Sequence, residues 1–375
     1  MKVIEVTNVD FSLRHFLLPL MRGIRARGHE VIGVCAEGPL LDGVRDEGFR
    51  VVGLPFVRRV SPLAHLRALL ALVRLFRAER PDLVHAHMPI SGFLARLAAR
   101  IAGVPRVAYT CHGFLFNQSG SWPRRSLALA MEWIGGRLTD VYMVVSQAEA
   151  ADARRLGICR TAVPVGNGRD PVRYHPDPVA RARIRSELGT PDERIVIVAV
   201  SRLVRAKGYP ELAAAMRAVP EAELWVVGER LASDRGDDMA ALLTSAGLGA
   251  RLRLLGYRHD VAAVLAAADI FTLPSYFEGL PMSVIEAMLT GLPVVGTNIG
   301  GSREQVLEGE TGLLVKPRQA APLATALARL AADETLRTTM GEAGRARACA
   351  LYDEARVISR TLDLLGLPAA KLEGG

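Results

Sequence analysis

Residues 270–298, IFTLPSYFEGLPMSVIEAMLTGLPVVGTN, carry the reading that decides the fold. IFTLPS (270–275) is a short apolar run and reads as a buried strand. LPMSVIEAMLTG (280–291) reads as a helix starting near Pro281, a residue suited to a first helical turn. LPVVGTN (292–298) is the next strand. Strands separated by helices of this length build a parallel, doubly wound sheet with right-handed crossovers. Two carboxylates lie inside the unit. Glu278 stands at the strand end, beside Gly279, which lets backbone approach a ligand closely. Glu286 lies on the second helical turn among Ile285, Ala287 and Met288. An acid there is costly unless it is paired or faces a ligand; the plainer readings are a capping acid or a solvated helix face. The start of the helix, with its free N–H groups and dipole, offers an anion site.

The same alternation runs through the chain. In the first half, KVIEVTNV, EVIGVCAE, RVVGLPF, DLVHAH, RVAYTCHG and VYMVVS read as strands. Between them, HFLLPLMRGIRARGH (15–29), GPLLDGVRDEGF, SPLAHLRALLALVRLFRAERP and ISGFLARLAARIAGVP read as helices. GNGRDPVRYHPDP (166–178) reads as a linker. A second series follows: strands in RIVIVAVSRL, AELWVVGE, RLRLLGY, IFTLPS, LPVVGTN and TGLLV, helices in YPELAAAMRAV, HDVAAVLAAAD and LPMSVIEAMLTG, then helix to about Leu365. The expectation is an α/β protein of two Rossmann-like domains, 1–170 and 171–349, facing each other across a cleft lined by strand-end loops.

Bulk properties agree with this reading. At 375 residues the chain exceeds one ordinary core. Cys35, Cys111, Cys159 and Cys349 are far apart, so neither a zinc motif nor a disulfide framework is indicated. Glu5 interrupts the first apolar run, which argues against a signal peptide, and no stretch is apolar enough to span a membrane. Charge is uneven: residues 1–175 carry 24 Lys/Arg against 14 Asp/Glu, the remainder 23 against 25. The basic half is expected to face something anionic. No RNP-like aromatic motif or zinc finger supports nucleic acid, and no G-x-G-x-x-G follows the first strand to support a dinucleotide oxidoreductase.

Other strand-end loops offer candidates. SRLVRAKG places Arg202 and Lys207 five residues apart, a guanidinium fork and a point charge suited to a diphosphate. Gly300-Gly301 precede a helix expected near Ser302, either a ligand cradle or a simple cap. AYTCHGF puts His112 and Gly113 at a strand end. His85 and His87 share one face of a strand. With no third ligand in view, structural or substrate hydrogen bonds are read there in preference to a metal.

SRLVRAKG, LLGYRHDV, LPSYFEGLPMSVIEAMLTGLPVVGTNIGGSREQV and EGETGLLV, in that order, resemble the donor-binding domain of the family 4 retaining glycosyltransferases, which have the two-domain GT-B fold. The stretch NVDFSLRHF…GFRV (8–51) is similar to a bacterial subgroup that builds glycans on polyprenyl-diphosphate carriers, including the bacillosamine-directed N-acetylgalactosaminyltransferase of protein glycosylation. The resemblance implies that a C-terminal helix, about 350–367, packs back on the first domain. It implies that Arg202 and Lys207 neutralise the donor diphosphate, that Glu278 holds donor-sugar hydroxyls, and that backbone of Gly279, Leu280, Pro281 and Met282 approaches the phosphates. Glu286 would bind the ribose, Gly256, Tyr257 and Arg258 would lie near the base, and His112 would approach the reacting centre from the other domain. It implies no cofactor and no metal, a nucleotide-sugar donor, a lipid-linked saccharide acceptor and retention of anomeric configuration. Many members have a Gly-Gly loop after the first strand, whereas VTNVDFSLRHF has no glycine. Asp10, Phe11 and Ser12, with His15 and His87, are therefore read as acceptor-side residues. Arg58, Arg59, Arg67, Arg74 and Arg77, with Arg22, Arg25 and Arg27, make the basic half a candidate for docking on anionic lipid, placing the enzyme in the cytoplasm on the inner face of the membrane. The other readings are a UDP-sugar 2-epimerase of the same architecture and a catalytically silent nucleotide-sugar binder.

Overall fold

A computed structural model describes residues 1–57, 61–118, 120–231, 234 and 236–368. Arg58 and Arg59 lie outside the described residues. The chain divides into two units, residues 1–166 with 356 onward, and residues 167–355. The breaks fall at Gly166/Asn167 and Ala355/Arg356, against the 170 and 349 read from sequence.

The first unit is built on seven parallel strands: β1 (Lys2–Val6), β2 (Glu30–Cys35), β3 (Arg50–Gly53), β4 (Leu83–His87), β5 (Arg106–Cys111), β6 (Val141–Val144) and β7 (Val163–Pro164). Their order is β3-β2-β1-β4-β5-β6-β7, so the winding reverses between β1 and β4. Strands buried on both faces must be apolar on both, and they largely are. Ile4, Val34, Val84 and Val107 pack on one face, against Leu72 and Phe76 of a long helix and Ala95 and Ala99 of the next. Val3, Leu83, Ala108 and Met143 pack on the other, with Met21, Ile24, Leu362, Leu365 and Leu367.

The helices of this unit are α1 (Asp10–Ser12), α2 (Leu18–Ala26), α3 (Asp42–Arg45), α4 (Pro62–Glu79), α5 (Pro89–Ala102), α6 (Trp122–Arg137) and α7 (Gln147–Arg155). Helical structure begins at Asp10, five residues before the expected His15, and reaches α2 through a π-turn over Leu13–Leu17. Asp10 suits a first turn because its charge opposes the helix dipole. The glycine-free stretch is thus the start of a helix, where a glycine loop is not needed. Two helices of this half, α6 and α7, were not read from the sequence.

The second unit carries six parallel strands: β8 (Ile195–Val200), β9 (Ala222–Val227), β10 (Leu252–Gly256), β11 (Ile270–Leu273), β12 (Val294–Thr297) and β13 (Gly312–Val315). Their order, β10-β9-β8-β11-β12-β13, reverses between β8 and β11. Helices α8 (Pro178–Leu188), α9 (Tyr209–Met216), α10 (Met239–Thr244), α11 (Val261–Ala267), α12 (Met282–Leu289) and α13 (Gly300–Gln305) alternate with them, and α14 (Ala320–Ala332) and α15 (Glu334–Leu351) follow. The start of α8 lay inside the stretch read as linker. Asp177 caps it by accepting from the N–H groups of Val179 and Ala180, and Pro178 takes the first position. The final helix, α16 (Glu354–Leu364), joins the first unit from Arg356 onward: Leu362, Leu365 and Leu367 complete its core. Among the described residues, no helix is long and apolar enough to cross a membrane.

Candidate functional site

In a doubly wound sheet, ligands collect beyond the carboxyl ends of the strands where the order reverses. In the second unit that point is β8 and β11. After β8 the chain enters a 3₁₀ turn, Arg205–Lys207, and leaves it through Gly208 at φ +79°. A Cβ on Gly208 would stand 2.0 Å from the carbonyl oxygen of Pro274, so glycine alone lets this loop lie directly on the one after β11. The Tyr276 N–H donates to Ala206 O at 2.9 Å, joining the two loops. The result is a specific pair: Lys207 Nζ donates to Glu278 Oε1 at 2.5 Å, and Ser275 Oγ donates to the same oxygen at 2.6 Å. Arg202 is more exposed and bonds Asp234 through Nη1 at 2.5 Å.

A third loop completes the frame. A Cβ on Gly301 would meet Gly279 O at 1.9 Å, so the Gly300-Gly301 turn packs against the backbone just before α12. Thr297 Oγ1 donates to Ser275 O at 2.5 Å, Asn167 Nδ2 to Leu280 O at 2.7 Å and Gln305 Nε2 to Pro281 O at 2.9 Å. The carbonyls of this turn are therefore tied back into the protein. At the front, α12 begins at Met282 after Pro281, and no side chain caps it. A helix start without a side-chain cap leaves backbone N–H groups and the positive end of the dipole to offer an anion. Helix α13 starts at Gly300, two residues before the expected Ser302, and Ser302 does not cap it.

Glu286 is 8% exposed. Its burial is balanced by Arg169, whose Nε donates to Oε1 at 2.6 Å. Burial and the neighbouring Glu286 carboxylate push the Tyr174 hydroxyl upward. Both Asn167 and Arg169 come from the stretch read as linker, so part of that stretch belongs to the site. An arginine in a Gly/Asn/Asp/Pro run, with an unexplained acid elsewhere in the chain, was the signal available.

At the end of β10, Gly256 has φ +62° and the Tyr257 N–H donates to Glu229 Oε1 at 3.1 Å. Tyr257 is 46% exposed. Arg258 is held by Asp260 at 2.7 and 2.8 Å and by Glu187 at 2.7 Å, and these bonds raise its pKa further. Its guanidinium is committed to two carboxylates, leaving Tyr257 as the open residue of this trio.

In the first unit the corresponding point is β1 and β4, where Glu5 pairs in register with His85. The sheet face that is apolar at Val3, Leu83 and Ala108 becomes polar two residues further along each strand, at Glu5, His85 and Thr110. His85 Nδ1 lies 3.0 Å from Glu5 Oε1, and His87 Nε2 lies 2.8 Å from Glu5 Oε2. His85 Nε2 is 2.8 Å from Thr110 Oγ1, and His87 Nδ1 is 3.1 Å from His112 Nε2. Glu5 thus stands where the sequence showed no third ligand, and the carboxylate and two imidazoles are close enough for a cation. Their spacing is, however, that of hydrogen bonds already made.

His87, 2% exposed and with both ring nitrogens engaged, is not open to an acceptor as the sequence reading had it. Ser12 is likewise buried. The Asp10 carboxylate accepts from the N–H groups of Phe11 at 2.8 Å and Leu40 at 3.2 Å. Phe11 is 41% exposed and lies against His15, with ring centroids 4.5 Å apart.

The chain matches the family described as Glycosyl transferases group 1 over residues 180–347, and Glycosyl transferase 4-like domain over residues 13–168. It is 30% identical over 357 residues to the UDP-Gal:alpha-D-GlcNAc-diphosphoundecaprenol alpha-1,3-galactosyltransferase of Escherichia coli, covering 88% of this chain and 90% of that one. It is 25% identical over 382 residues to the N,N'-diacetylbacillosaminyl-diphospho-undecaprenol alpha-1,3-N-acetylgalactosaminyltransferase of Campylobacter jejuni, covering 97% and 98%. Its fold is similar to that of Anabaena HepE in complex with UDP and glucose, with a TM-score of 0.85 at 22% identity over 98% of this chain and 99% of that one.

Proposed function

The chain belongs to the family 4 glycosyltransferases of the GT-B fold, and on that premise we propose that it moves a hexose or N-acetylhexosamine from a uridine diphosphate sugar to a polyprenyl-diphosphate-linked saccharide, with retention at the anomeric carbon. The observation that carries this reading is the Lys207–Glu278 pair beside the uncapped start of α12.

The donor diphosphate is placed at that helix start, where backbone N–H groups meet it. Lys207 and Arg202 add two positive charges. Among the described residues Arg202 bonds Asp234 through Nη1 alone, which leaves its other N–H groups to a phosphate. As the glycosidic bond breaks, the leaving nucleoside diphosphate gains negative charge. Lys207 meets that charge in a partly buried setting, where it stabilises the transition state more than the ground state. These cations supply the neutralisation, and the reaction is read as metal-independent. Glu278 keeps Oε2 for a hydroxyl of the sugar, since Lys207 and Ser275 both address Oε1. Glu286 takes the ribose hydroxyls with the acceptor capacity that Arg169 leaves. His112 is assigned to the transferred sugar, and Phe11 and Asp10 to the acceptor.

The lipid end of the acceptor is read as delivered at an anionic membrane surface, on the cytoplasmic side. Supporting this, Leu63, Leu66 and Leu70 of α4 are exposed at helical spacing, beside exposed Arg67 and Arg74. On α6, Trp122, Leu127, Trp133 and Ile134 are exposed with Arg124 and Arg125. Arg22 and Arg27 contribute less than the sequence reading gave them, because they pair with Glu47 and Asp363.

A thermal-shift screen of nucleotide sugars, then mass and anomeric analysis of the product with a lipid-linked acceptor, tests the proposal. Stabilisation by UDP sugars and an axial-to-axial transfer are expected. Release of an epimerised free sugar would select the 2-epimerase reading, and binding without turnover of any kind the silent one.

A further inference from the structure

We propose that Glu5, acting through His87, is a positioning residue that holds His112 in one tautomer, with its proton on Nε2 and its lone pair on Nδ1, so that this imidazole meets a sugar or acceptor hydroxyl as a hydrogen-bond acceptor. The inference rests on the assignment of His112 to the transferred sugar made above.

The argument follows the protons. Glu5 is fully buried, and a buried carboxylate stays ionised only when N–H or O–H groups point at it. Among the described residues, the two groups within hydrogen-bond distance of its oxygens are His85 Nδ1 at 3.0 Å and His87 Nε2 at 2.8 Å, one on each oxygen. Both therefore donate. A neutral imidazole has a single N–H. Once His87 spends its proton on Glu5, its Nδ1 is an acceptor. The group facing that Nδ1, at 3.1 Å, is His112 Nε2, which must then donate. His112 is left with an unprotonated Nδ1, for which the described residues provide no hydrogen-bond partner. The His85 branch ends in Thr110 Oγ1, a hydroxyl able to donate or accept, so the state of His85 does not alter the His87 branch.

Charge supports the same assignment. Burial and the neighbouring His85 lower the His87 pKa to about 4, and burial and His87 lower that of His112 to about 3, so both are neutral at pH 7. Burial raises the Glu5 pKa, but the two histidines more than offset it and bring it down to about 2. Stability alone does not account for the arrangement. Apolar residues at 5, 85 and 87 would extend the core formed by Val3, Leu83 and Ala108 without any charge to desolvate. The chain Glu5–His87–His112 instead carries one carboxylate's demand for protons across β1 and β4 to the end of β5.

The test is nitrogen-15 NMR of histidine-labelled protein, with His112→Asn used to assign the His112 signals. The wild-type protein is expected to show His112 wholly in the Nε2–H tautomer, without protonation down to about pH 5. In His87→Phe, whose ring can neither donate to Glu5 nor accept from His112, with the folded state checked by circular dichroism, His112 is expected to become a tautomer mixture and to titrate nearer pH 6.5. The kcat for sugar transfer should fall at least about tenfold with KM for the nucleotide sugar within about twofold. A wild-type His112 protonated on Nδ1, stoichiometric metal retained after dialysis against chelator, or an unchanged kcat in folded His87→Phe would each overturn the proposal. If His87→Phe does not fold, the wild-type tautomer decides alone. A correct tautomer in a protein that turns over no nucleotide sugar would count against the proposed function and leave this wiring standing.

Discussion

Lys207 Nζ and Glu278 Oε1 lie 2.5 Å apart although 71 residues separate them, and both stand at the strand ends where the second sheet reverses its order. The pair is partly buried, and under the proposed function it couples the cation assigned to the phosphates to the carboxylate assigned to the sugar.

Lys207→Ala should lower kcat by about 10²–10³-fold, the scale of losing one preorganised electrostatic group. Donor affinity should change less, since the lost interaction grows as the bond breaks. Steady-state kinetics beside nucleotide titration calorimetry separates the two. A variant with wild-type turnover would remove Lys207 from the mechanism.

Arg169→Ala leaves Glu286 without the partner that balances its burial. A loss of about 2–3 kcal/mol in unfolding free energy is expected, with weaker donor binding. Glu286→Ala should cost about 1–3 kcal/mol in donor affinity. A double-mutant cycle measured by urea denaturation should give a coupling energy between the two; zero coupling would mean that the ion pair does not hold the helix.

Gly208→Ala should be poorly tolerated, because alanine at φ +79° is strained and its Cβ would meet the Pro274 carbonyl. Destabilisation of about 1–3 kcal/mol is expected. Donor affinity should fall with it, since the loop can no longer bring Lys207 to Glu278. Unchanged affinity for nucleotide sugars would show that the loop contact is dispensable.

Acid should destabilise the first unit earlier than carboxylates alone would. His87 and His112 have folded pKa values of about 4 and 3, below their ordinary 6.5. The unfolded chain therefore binds more protons, and stability falls as pH drops below about 6.5. Glu5, at about 2 against 4.5 when unfolded, adds a further loss below about pH 4.5. Urea midpoints should decline between pH 7.5 and 5, and less steeply in His87→Gln. A flat profile in the wild-type protein would mean that these histidines are not buried neutral.

Arg67→Glu with Arg74→Glu should weaken flotation with anionic vesicles by about 1 kcal/mol per reversed charge or more, and high salt should do the same. Equal binding to neutral and anionic vesicles would dismiss the basic surface as a membrane contact.

Several residues of the candidate site were legible before the fold. Arg202 and Lys207 stood out as a guanidinium fork and a point charge five residues apart in a strand-end loop, Glu278 as a strand-end acid beside Gly279, and Glu286 because an acid inside an apolar helix is expensive. Their partners were not legible. Arg169 sat in a run of turn formers, and Glu5 served only as a break in an apolar strand. Arg258 promised a ligand contact, but Glu187 and Asp260 had prior claim on its guanidinium. His87 shares a strand face with His85 by simple alternation, yet what that face meets is set by β1 and β5.

The sequence by itself determined the alternation of strands with most of the helices between them, the two-domain α/β architecture and the strand-end loops of the candidate site. Those follow from short-range periodicity and from the few residues that start or stop elements. Tertiary structure alone decided which charged groups face one another. That choice depends on parallel register, as with Glu5 beside His85, and on how closely two loops approach, as with Gly208 against Pro274. Both place together residues scores of positions apart, a distance over which side-chain alternation carries no information.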